Sequence, residues 1–514
     1  MKKFISLMLS LLLVMSLAAP AFAAGTYVEY PTIYVTGAQT NDIYDTEGNK
    51  VSDFDIDLGA VLEEYGMDLV SKFLFGMLSD DYSVWAAKFH DVFVGIYGDS
   101  ALDKNGEASN GTHPAKHSST VSVTEKSNGF GMWDYRFWYD WRISPMVTGE
   151  ELEAYIDRVI AATGAEKVNL VGRCYGANVI AAYVQMNKEH AAKYVDDAVY
   201  FAPSIEGIDF MTALYTGEIY LDDVALNNFL DWYVENEDLI QDDAIAALVL
   251  TLVELFEQVK VLGFTAEAVD LLMDRIKTDL IPPILRDSFA SWPSYWAMVT
   301  EGNLDKAIDF IFAGCEDEYA GLIAKVRDYY DNVQSNHNAT VFEMMDKGVR
   351  YDIFAKYNFP EYPIYEGAAL QSDGDTTIPR QTFGATAANY GEVLSADYLA
   401  SVSEENQKYI SPDHKIDAST GLLPENTWYI KNLHHNYWAA IEGICLDIIN
   451  NDYNVSNQDV YPQFMDNNNN MAEVTPDEDY NKPADHPLVS LMRFLTALFN
   501  FVTKLFNGGI SFGK

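Results

Sequence analysis

Apolar positions along the chain alternate between short runs typical of buried strands and longer stretches with helical spacing. The strand-like runs lie at residues 31–37, 137–139, 168–171, 197–203, 364–370 and 426–432, with a further possible strand at 92–98. Helical stretches at residues 61–89, 150–163, 177–186 and 439–449 fall between them. Strands that alternate with helices at these lengths predict the α/β class, with a doubly wound and mostly parallel sheet.

The pattern changes between residues 208 and 362, where helical stretches dominate and strand-like runs are scarce. The clearest helices are expected at residues 244–261, 267–279 and 304–312. Because this segment separates two parts of the predicted α/β core (24–207 and 363–455), we expect a large helical cap inserted over the functional site. Such a cap would exclude water and supply an apolar pocket. A domain with a packing role alone is the alternative.

The two ends of the chain carry patterns of their own. Two lysines, an apolar run and a small-residue site at residues 21–23 predict a secretory signal peptide over residues 1–23 and an exported, secreted or cell-surface protein. Residues 456–487 are rich in Asn, Asp and Pro and are interpreted as a linker. The last segment, 488–514, predicts an amphipathic helix. It could contact a membrane surface or dock on the core.

Acidic residues outnumber basic ones strongly. Without the signal peptide, 31 basic residues face 77 acidic residues, a formal charge of −46. Such a surface repels nucleic acid, so no nucleic-acid partner is expected. No cofactor or metal is predicted either: His113 and His117 have no nearby third ligand, and the acidic run at 53–64 has Leu58 where a calcium loop needs Gly.

The three cysteines are too few for a disulfide framework. Cys315 and Cys445 could pair, which would leave Cys174 as the free thiol. Three unpaired cysteines are the alternative. In either arrangement, Cys174 is available for chemistry.

Cys174 lies in the pentapeptide GRCYG at residues 172–176, between a strand-like run and a helical stretch. A nucleophile between two glycines at a strand-to-helix turn is the pattern of a nucleophile elbow. The turn lifts the side chain clear of the sheet, and the helix N-terminus directs free N–H groups at a developing oxyanion. The backbone N–H of Tyr175 is one expected oxyanion donor. The second is expected in the loop after residues 31–37, at Gln39 or alternatively at Ala38.

An elbow of this kind needs an acid and a histidine later in the chain. Asp373 and Asp375 follow the strand-like run at 364–370, and His434 and His435 follow the run at 426–432. Within each pair, the residues alone do not decide which member takes part.

With these residues assembled, the chain resembles the lecithin–cholesterol acyltransferase and lysosomal phospholipase family of α/β-hydrolases. The similar segments are the oxyanion loop VTGAQTN (35–41), the tetrapeptide YDWR (139–142), the cap motif SFASWPSYW (288–296), the acid loop DGDTTI (373–378) and the histidine motif HHNYW (434–438). The resemblance implies an α/β-hydrolase fold in which Asp375 is the catalytic acid and His434 the base.

Cysteine replaces the serine that this family carries at the elbow. The resemblance therefore implies a Cys174–His434–Asp375 triad that forms a thioester acyl-enzyme. We expect a lipid esterase or O-acyltransferase whose partner is a lipid or other acyl-ester substrate. The alternative is an inactive member of the fold that binds lipid or a surface partner.

Overall fold

The computed structural model describes residues 30–52, 81–220 and 274–476 except 128 and 130, with isolated residues within 71–79 and 224–232 and residue 271. Several predictions lie outside these residues: the signal peptide, the acidic run at 53–64, the helix at 244–261 and the C-terminal helix at 488–514. No helix in the described part of the chain has both the length and the apolar character to cross a membrane.

One eight-stranded sheet forms the centre of the fold. Its strands are β1 (Thr32–Val35), β2 (Tyr135–Phe137), β3 (Val168–Arg173), β4 (Val195–Phe201), β5 (Arg350–Tyr357), β6 (Thr427–Lys431), β7 (Phe464–Asp466) and β8 (Ala472–Glu473). The spatial order is β8-β7-β6-β5-β4-β3-β1-β2. Every neighbouring pair is parallel except β7 and β8. The α/β class with a mostly parallel sheet is therefore confirmed.

Helices surround this sheet. They are α1 (Ser83–Tyr97), α2 (Pro145–Thr163), α3 (Tyr175–Met186), α4 (Lys188–Tyr194), α5 (Asp209–Thr216), α6 (Ile281–Arg286), α7 (Pro293–Trp296), α8 (Leu304–Ile311), α9 (Ala320–Asn332), α10 (His337–Asp346), α11 (Ile378–Gln381), α12 (Ala396–Ser401) and α13 (Ala439–Asn450). Six of these helices, α5 to α10, lie in the chain between β4 and β5.

Both faces of the sheet are covered. Leu170 and Tyr200 belong to the larger core, which also contains the apolar residues of α2 and α3. Their neighbours Val171 and Phe201 belong to a second core, formed with α13. Successive strand residues point to opposite faces. The continuous apolar runs of β3 and β4 thus follow from burial on both faces, as expected for a parallel sheet.

Two predicted strands were placed wrongly. Residues 92–98 continue helix α1 instead of forming a strand. The strand expected at residues 364–370 does not form there. The strand at this point of the fold is β5, Arg350–Tyr357, which lies inside the range 208–362 that was predicted as the cap. Its alternating charged residues are Arg350, which is partly buried, and Asp352 and Lys356, which are fully buried, so the sequence lacks the apolar run that marks a strand.

Part of the predicted linker is also structured. Strands β7 and β8 fall within residues 456–487 and extend the sheet at its edge. They are three and two residues long, too short for a periodic pattern to emerge. All three cysteines are free in the structure, so Cys315 and Cys445 do not form a disulfide.

Two aspartates, Asp197 and Asp352, are buried near the start of β4 and β5. This end of the sheet is opposite the end at which the Cys174 elbow follows β3. Asp197 and Asp352 flank Arg350, whose guanidinium bonds Asp352 at 2.9 Å and lies 3.8 Å from Asp197. Burial, together with the charge of Asp352, raises the pKa of Asp197 to about 8. Since its folded-state pKa lies above the unfolded value, Asp197 contributes stability at low pH that is lost as the pH rises to about 8.

Replacing Asp197 by Asn should therefore stabilise the protein at pH about 8, because the neutral amide has no charged form to bury. One pKa unit corresponds to about 1.4 kcal/mol, so a rise from 3.8 to about 8 sets an upper limit of about 6 kcal/mol. Because relaxation and water penetration reduce the cost of a buried charge, we expect a gain of about 3 kcal/mol at the higher pH and little change near pH about 4. Denaturant unfolding of Asp197→Asn at both pH values measures this gain. Asp196→Asn, on the neighbouring and partly exposed residue, is the control. A destabilised Asp197→Asn at the higher pH would contradict the account.

Candidate active site

Cys174 occupies the sharp turn between β3 and α3. Its backbone has φ 50° and ψ −125°, a strained conformation for a residue with a side chain. Hydrogen bonds hold the turn in place: the Cys174 N–H donates to Phe201 O at 2.9 Å, and Ala177 N–H donates to Cys174 O at 3.0 Å. The side chain is partly exposed. The predicted strand–turn–helix geometry around Cys174 is thus present.

Glycines make the turn possible. A Cβ on Gly176 would lie 2.2 Å from Val35 O, and one on Gly172 would lie 2.8 Å from Ala177 N. Each glycine therefore permits a close backbone approach that no other residue would allow. Gly37, at the end of β1, packs against Cys174 itself: a Cβ there would lie 3.2 Å from Cys174 Cβ. The loop after β1 is thus adjacent to the nucleophile candidate.

That loop carries the second expected oxyanion donor. Gln39 has φ 59°, so its backbone adopts the left-handed conformation. Among the described residues, the N–H groups of Gln39 and Tyr175 donate to no other protein group. Two free backbone donors beside the elbow are what an oxyanion hole requires. The side chain of Gln39 is anchored separately, by a hydrogen bond from Nε2 to the Tyr295 hydroxyl.

The tetrapeptide at 139–142 braces the oxyanion loop. Tyr139 Oη donates to Thr36 O, and Trp141 Nε1 donates to Asn41 O at 2.9 Å. Asn41 in turn donates from Nδ2 to Tyr139 O at 2.8 Å. The loop is therefore fixed at both ends by this one segment.

Arg142 completes the brace. The guanidinium is fully buried and bonds both carboxylate oxygens of Asp140, at 3.0 and 2.7 Å. It also donates to Ser100 O at 2.9 Å, which in turn accepts the indole N–H of Trp292. Trp292 belongs to the segment 288–296. The oxyanion loop (35–41), the tetrapeptide (139–142) and this segment therefore lie against one another.

The two candidate aspartates have different surroundings. Asp373 is fully buried, whereas Asp375 is partly exposed. Asp373 Oδ1 accepts the backbone N–H groups of Asp375 at 3.2 Å and Thr376 at 2.9 Å, and its Oδ2 lies 2.8 Å from His435 Nδ1. Although burial opposes ionisation, the His435 and Lys356 charges lower the pKa of Asp373 to about 2.

His435 is the imidazole that the carboxylates hold. Besides the Asp373 contact at Nδ1, its Nε2 lies 3.7 Å from Asp375 Oδ2. The His435 backbone N–H also donates to Asp373 O at 2.8 Å. Burial alone would lower its pKa, but Asp373, Asp375 and Cys174 raise the pKa of His435 to about 10. His435 is therefore an imidazolium at neutral pH.

His434 lies in an apolar environment. Its ring stacks on Trp232 at 5.7 Å and meets Phe359 edge-on at 5.2 Å. Nδ1 accepts the Asn436 N–H at 3.3 Å. Nε2 is buried over Gly374 and has no hydrogen-bond partner among the residues that the structure describes. Burial lowers the pKa of His434 to about 3, so this ring is neutral.

The structure thus brings all eight predicted site residues into one region, but the hydrogen-bonded pair is His435 with Asp373. These are the residues that sequence reasoning kept as alternatives to His434 and Asp375. Within the part of the chain described, Cys174 Sγ forms no hydrogen bond with either imidazole. Nucleophile–base contacts are often long in a ligand-free site and shorten when substrate binds.

Two cations beside the site were not anticipated. Arg173 precedes the nucleophile, and Lys356 lies within β5 with 1% of its surface exposed. Both bond the turn that carries the two histidines. A lysine at an inward position of a buried strand is itself a signal, because lysine is almost never buried without a partner.

Comparison with known proteins assigns no family. No protein-family model matches the sequence, and a search of curated proteins found no significant match.

Proposed function

We propose that this protein is a cysteine-dependent α/β-hydrolase that cleaves or transfers acyl groups of ester substrates. The observation that carries the proposal is Cys174 at a strained strand-to-helix turn, at the same edge of the sheet as a carboxylate-held histidine. Free N–H groups of Gln39 and Tyr175 lie beside it. The acyl-ester substrate class and export from the cell remain predictions of the sequence.

Topology supports the hydrolase fold. Cys174 follows β3, Asp373 follows β5 and His435 follows β6, so nucleophile, acid and histidine appear in the chain order of α/β-hydrolases. The oxyanion loop follows β1, which lies next to β3. Because parallel strands end at one edge of the sheet, these segments meet there. Ligands bind at that edge in open α/β sheets.

The chemistry follows from the charges. With a pKa of about 10, His435 already carries its proton. The Cys174 thiol therefore loses its own proton to solvent, and the imidazolium stabilises the thiolate. The thiolate sulfur attacks the ester carbonyl carbon, and the Gln39 and Tyr175 N–H groups stabilise the oxyanion. The carbon–oxygen bond then breaks, and His435 gives its proton to the leaving alcohol. The acyl group remains on Cys174 as a thioester.

The second half of the reaction regenerates the site. Water or another alcohol transfers a proton to the now neutral His435 and attacks the thioester carbonyl. The carbon–sulfur bond breaks, and the thiolate returns beside the imidazolium. Asp373 keeps its bond to Nδ1 throughout, which fixes the ring orientation. Hydrolysis and transfer thus share every residue and differ only in the acceptor.

Steady-state turnover of p-nitrophenyl esters of increasing chain length tests the proposal. We expect Cys174→Ala to lose at least about 1000-fold in kcat/KM, because it has no nucleophile. Cys315→Ala, at another free and partly exposed cysteine, is the control and should retain full activity. If Cys174→Ala matches the wild type across the series, the catalytic proposal is wrong. The alternative of an inactive, lipid-binding member would then take its place.

A further inference from the structure

The turn at residues 434–437 is held by a buried lysine that lies outside the triad. Lys356 Nζ donates to three carbonyl oxygens of this one turn: His435 at 2.6 Å, His434 at 3.1 Å and Tyr437 at 3.2 Å. An ammonium group has three donors, so the turn satisfies all of them. The lysine thus fits this turn specifically.

A second cation holds the same turn from the nucleophile side. Arg173 Nη2 donates to His435 O at 3.3 Å and to Asn436 Oδ1 at 3.2 Å. The His435 carbonyl therefore accepts from two charged donors, one in β5 and one directly before Cys174. Charged donors form stronger hydrogen bonds than neutral ones.

We propose that Lys356 is a positioning residue: its buried ammonium fixes the His434–Tyr437 turn and thereby holds the His435 ring against Asp373, at the edge of the sheet that carries the Cys174 elbow. The backbone of His435 is then held at both its N–H, by Asp373 O, and its carbonyl, by Lys356. Only the side-chain torsions remain free, and the Nδ1–Asp373 bond restricts those. The catalytic meaning of this role rests on the proposed acyl transfer.

Charge balance explains why lysine is tolerated here. Burial lowers the pKa of Lys356 to about 8, and the Asp373 carboxylate opposes that shift. Lys356 and Arg173 supply two positive charges, which offset the carboxylates of Asp373 and Asp375. A neutral residue at 356 would leave the two carboxylates less compensated and the three carbonyls short of a donor.

The test compares Lys356→Met with Lys431→Met. Lys431 is a similarly buried lysine on the neighbouring strand β6, and its ammonium pairs with Asp413 at 3.0 Å. For Lys356→Met we expect acylation of Cys174 by a p-nitrophenyl ester to slow about 30-fold with KM changed less than about twofold. Lys431→Met should lose stability yet keep the acylation rate. Equal rates in wild type and Lys356→Met would overturn the positioning role.

A readout independent of catalysis separates this inference from the proposed function. The proton in the His435–Asp373 hydrogen bond should give a low-field NMR resonance, assigned by its loss in His435→Gln. We expect the resonance to disappear in Lys356→Met and to persist in Lys431→Met. If the wild type shows no acylation but Lys356→Met loses the resonance, the acyl-transfer proposal fails and the positioning role stands. Persistence of the resonance in Lys356→Met refutes the positioning role.

Arg173→Met covers the case in which Lys356→Met does not fold. Arg173 is partly exposed, so its replacement is expected to be tolerated. Because the Lys356 contacts remain, acylation should slow by only about fivefold. An unchanged rate and an unchanged resonance in Arg173→Met would contradict the idea that charged donors fix this turn.

Discussion

His435→Ala is expected to slow acylation of Cys174 about 1000-fold, whereas His434→Ala should slow it less than about tenfold. The two histidines are neighbours in the chain and similarly buried, yet only His435 bonds a carboxylate. Loss of His435 removes both the cation that stabilises the Cys174 thiolate and the proton donor to the leaving group. Loss of His434 removes an apolar contact with Trp232 and Phe359.

Single-turnover acylation rates of the two variants measure this difference, each beside a thermal unfolding curve that verifies folding. The matching acid variants extend the comparison: Asp373→Asn should resemble His435→Ala, and Asp375→Asn should be milder because its oxygen lies 3.7 Å from Nε2. A larger loss in His434→Ala than in His435→Ala would contradict this assignment and would favour the family-based choice of His434.

Gly176→Ala is expected to destabilise the protein by about 3 kcal/mol. Alanine is the better helix former and on propensity alone would stabilise α3 by about 1 kcal/mol. However, the added Cβ would lie 2.2 Å from Val35 O and 2.8 Å from Thr36 O, and backbone carbonyls cannot turn away as a side chain can. The clash therefore outweighs the propensity and pushes α3 off the end of β1.

The urea unfolding midpoint of Gly176→Ala measures the effect. Gly95→Ala in helix α1 is the matched control, since no atom lies within 4 Å of its added Cβ and propensity alone should act there. The account predicts opposite signs for the two substitutions. A Gly176→Ala protein as stable as the wild type would show that the close approach of α3 to β1 is not required.

Much of the site could be predicted from the sequence because its signals are local. The elbow is defined by two glycines around Cys174 and by the change from strand to helix pattern, all within a dozen residues. The oxyanion loop and the order of acid and histidine likewise depend only on which strand precedes each residue. These features could be predicted correctly even though the strand before the acid loop was expected at 364–370 and is β5 at 350–357.

The choice within each residue pair could not be made in the same way. Asp373 and Asp375 both flank Gly374, and His434 and His435 are adjacent, so each pair shares one local pattern. What separates them is tertiary: Trp232 covers His434, whereas His435 meets Asp373. Lys356 was missed for a related reason, since its partners lie about eighty residues away in the chain.

Intact-protein mass spectrometry after brief mixing with an acyl p-nitrophenyl ester tests the central claim most directly. The account predicts one added acyl group on the wild-type protein, located on Cys174 by peptide mapping and removed by neutral hydroxylamine, as a thioester should be. Cys174→Ala should gain none, and His435→Ala should gain it far more slowly. If folded, reduced wild-type protein gains no acyl group from short or long esters, or gains it on another residue, Cys174 is not the nucleophile.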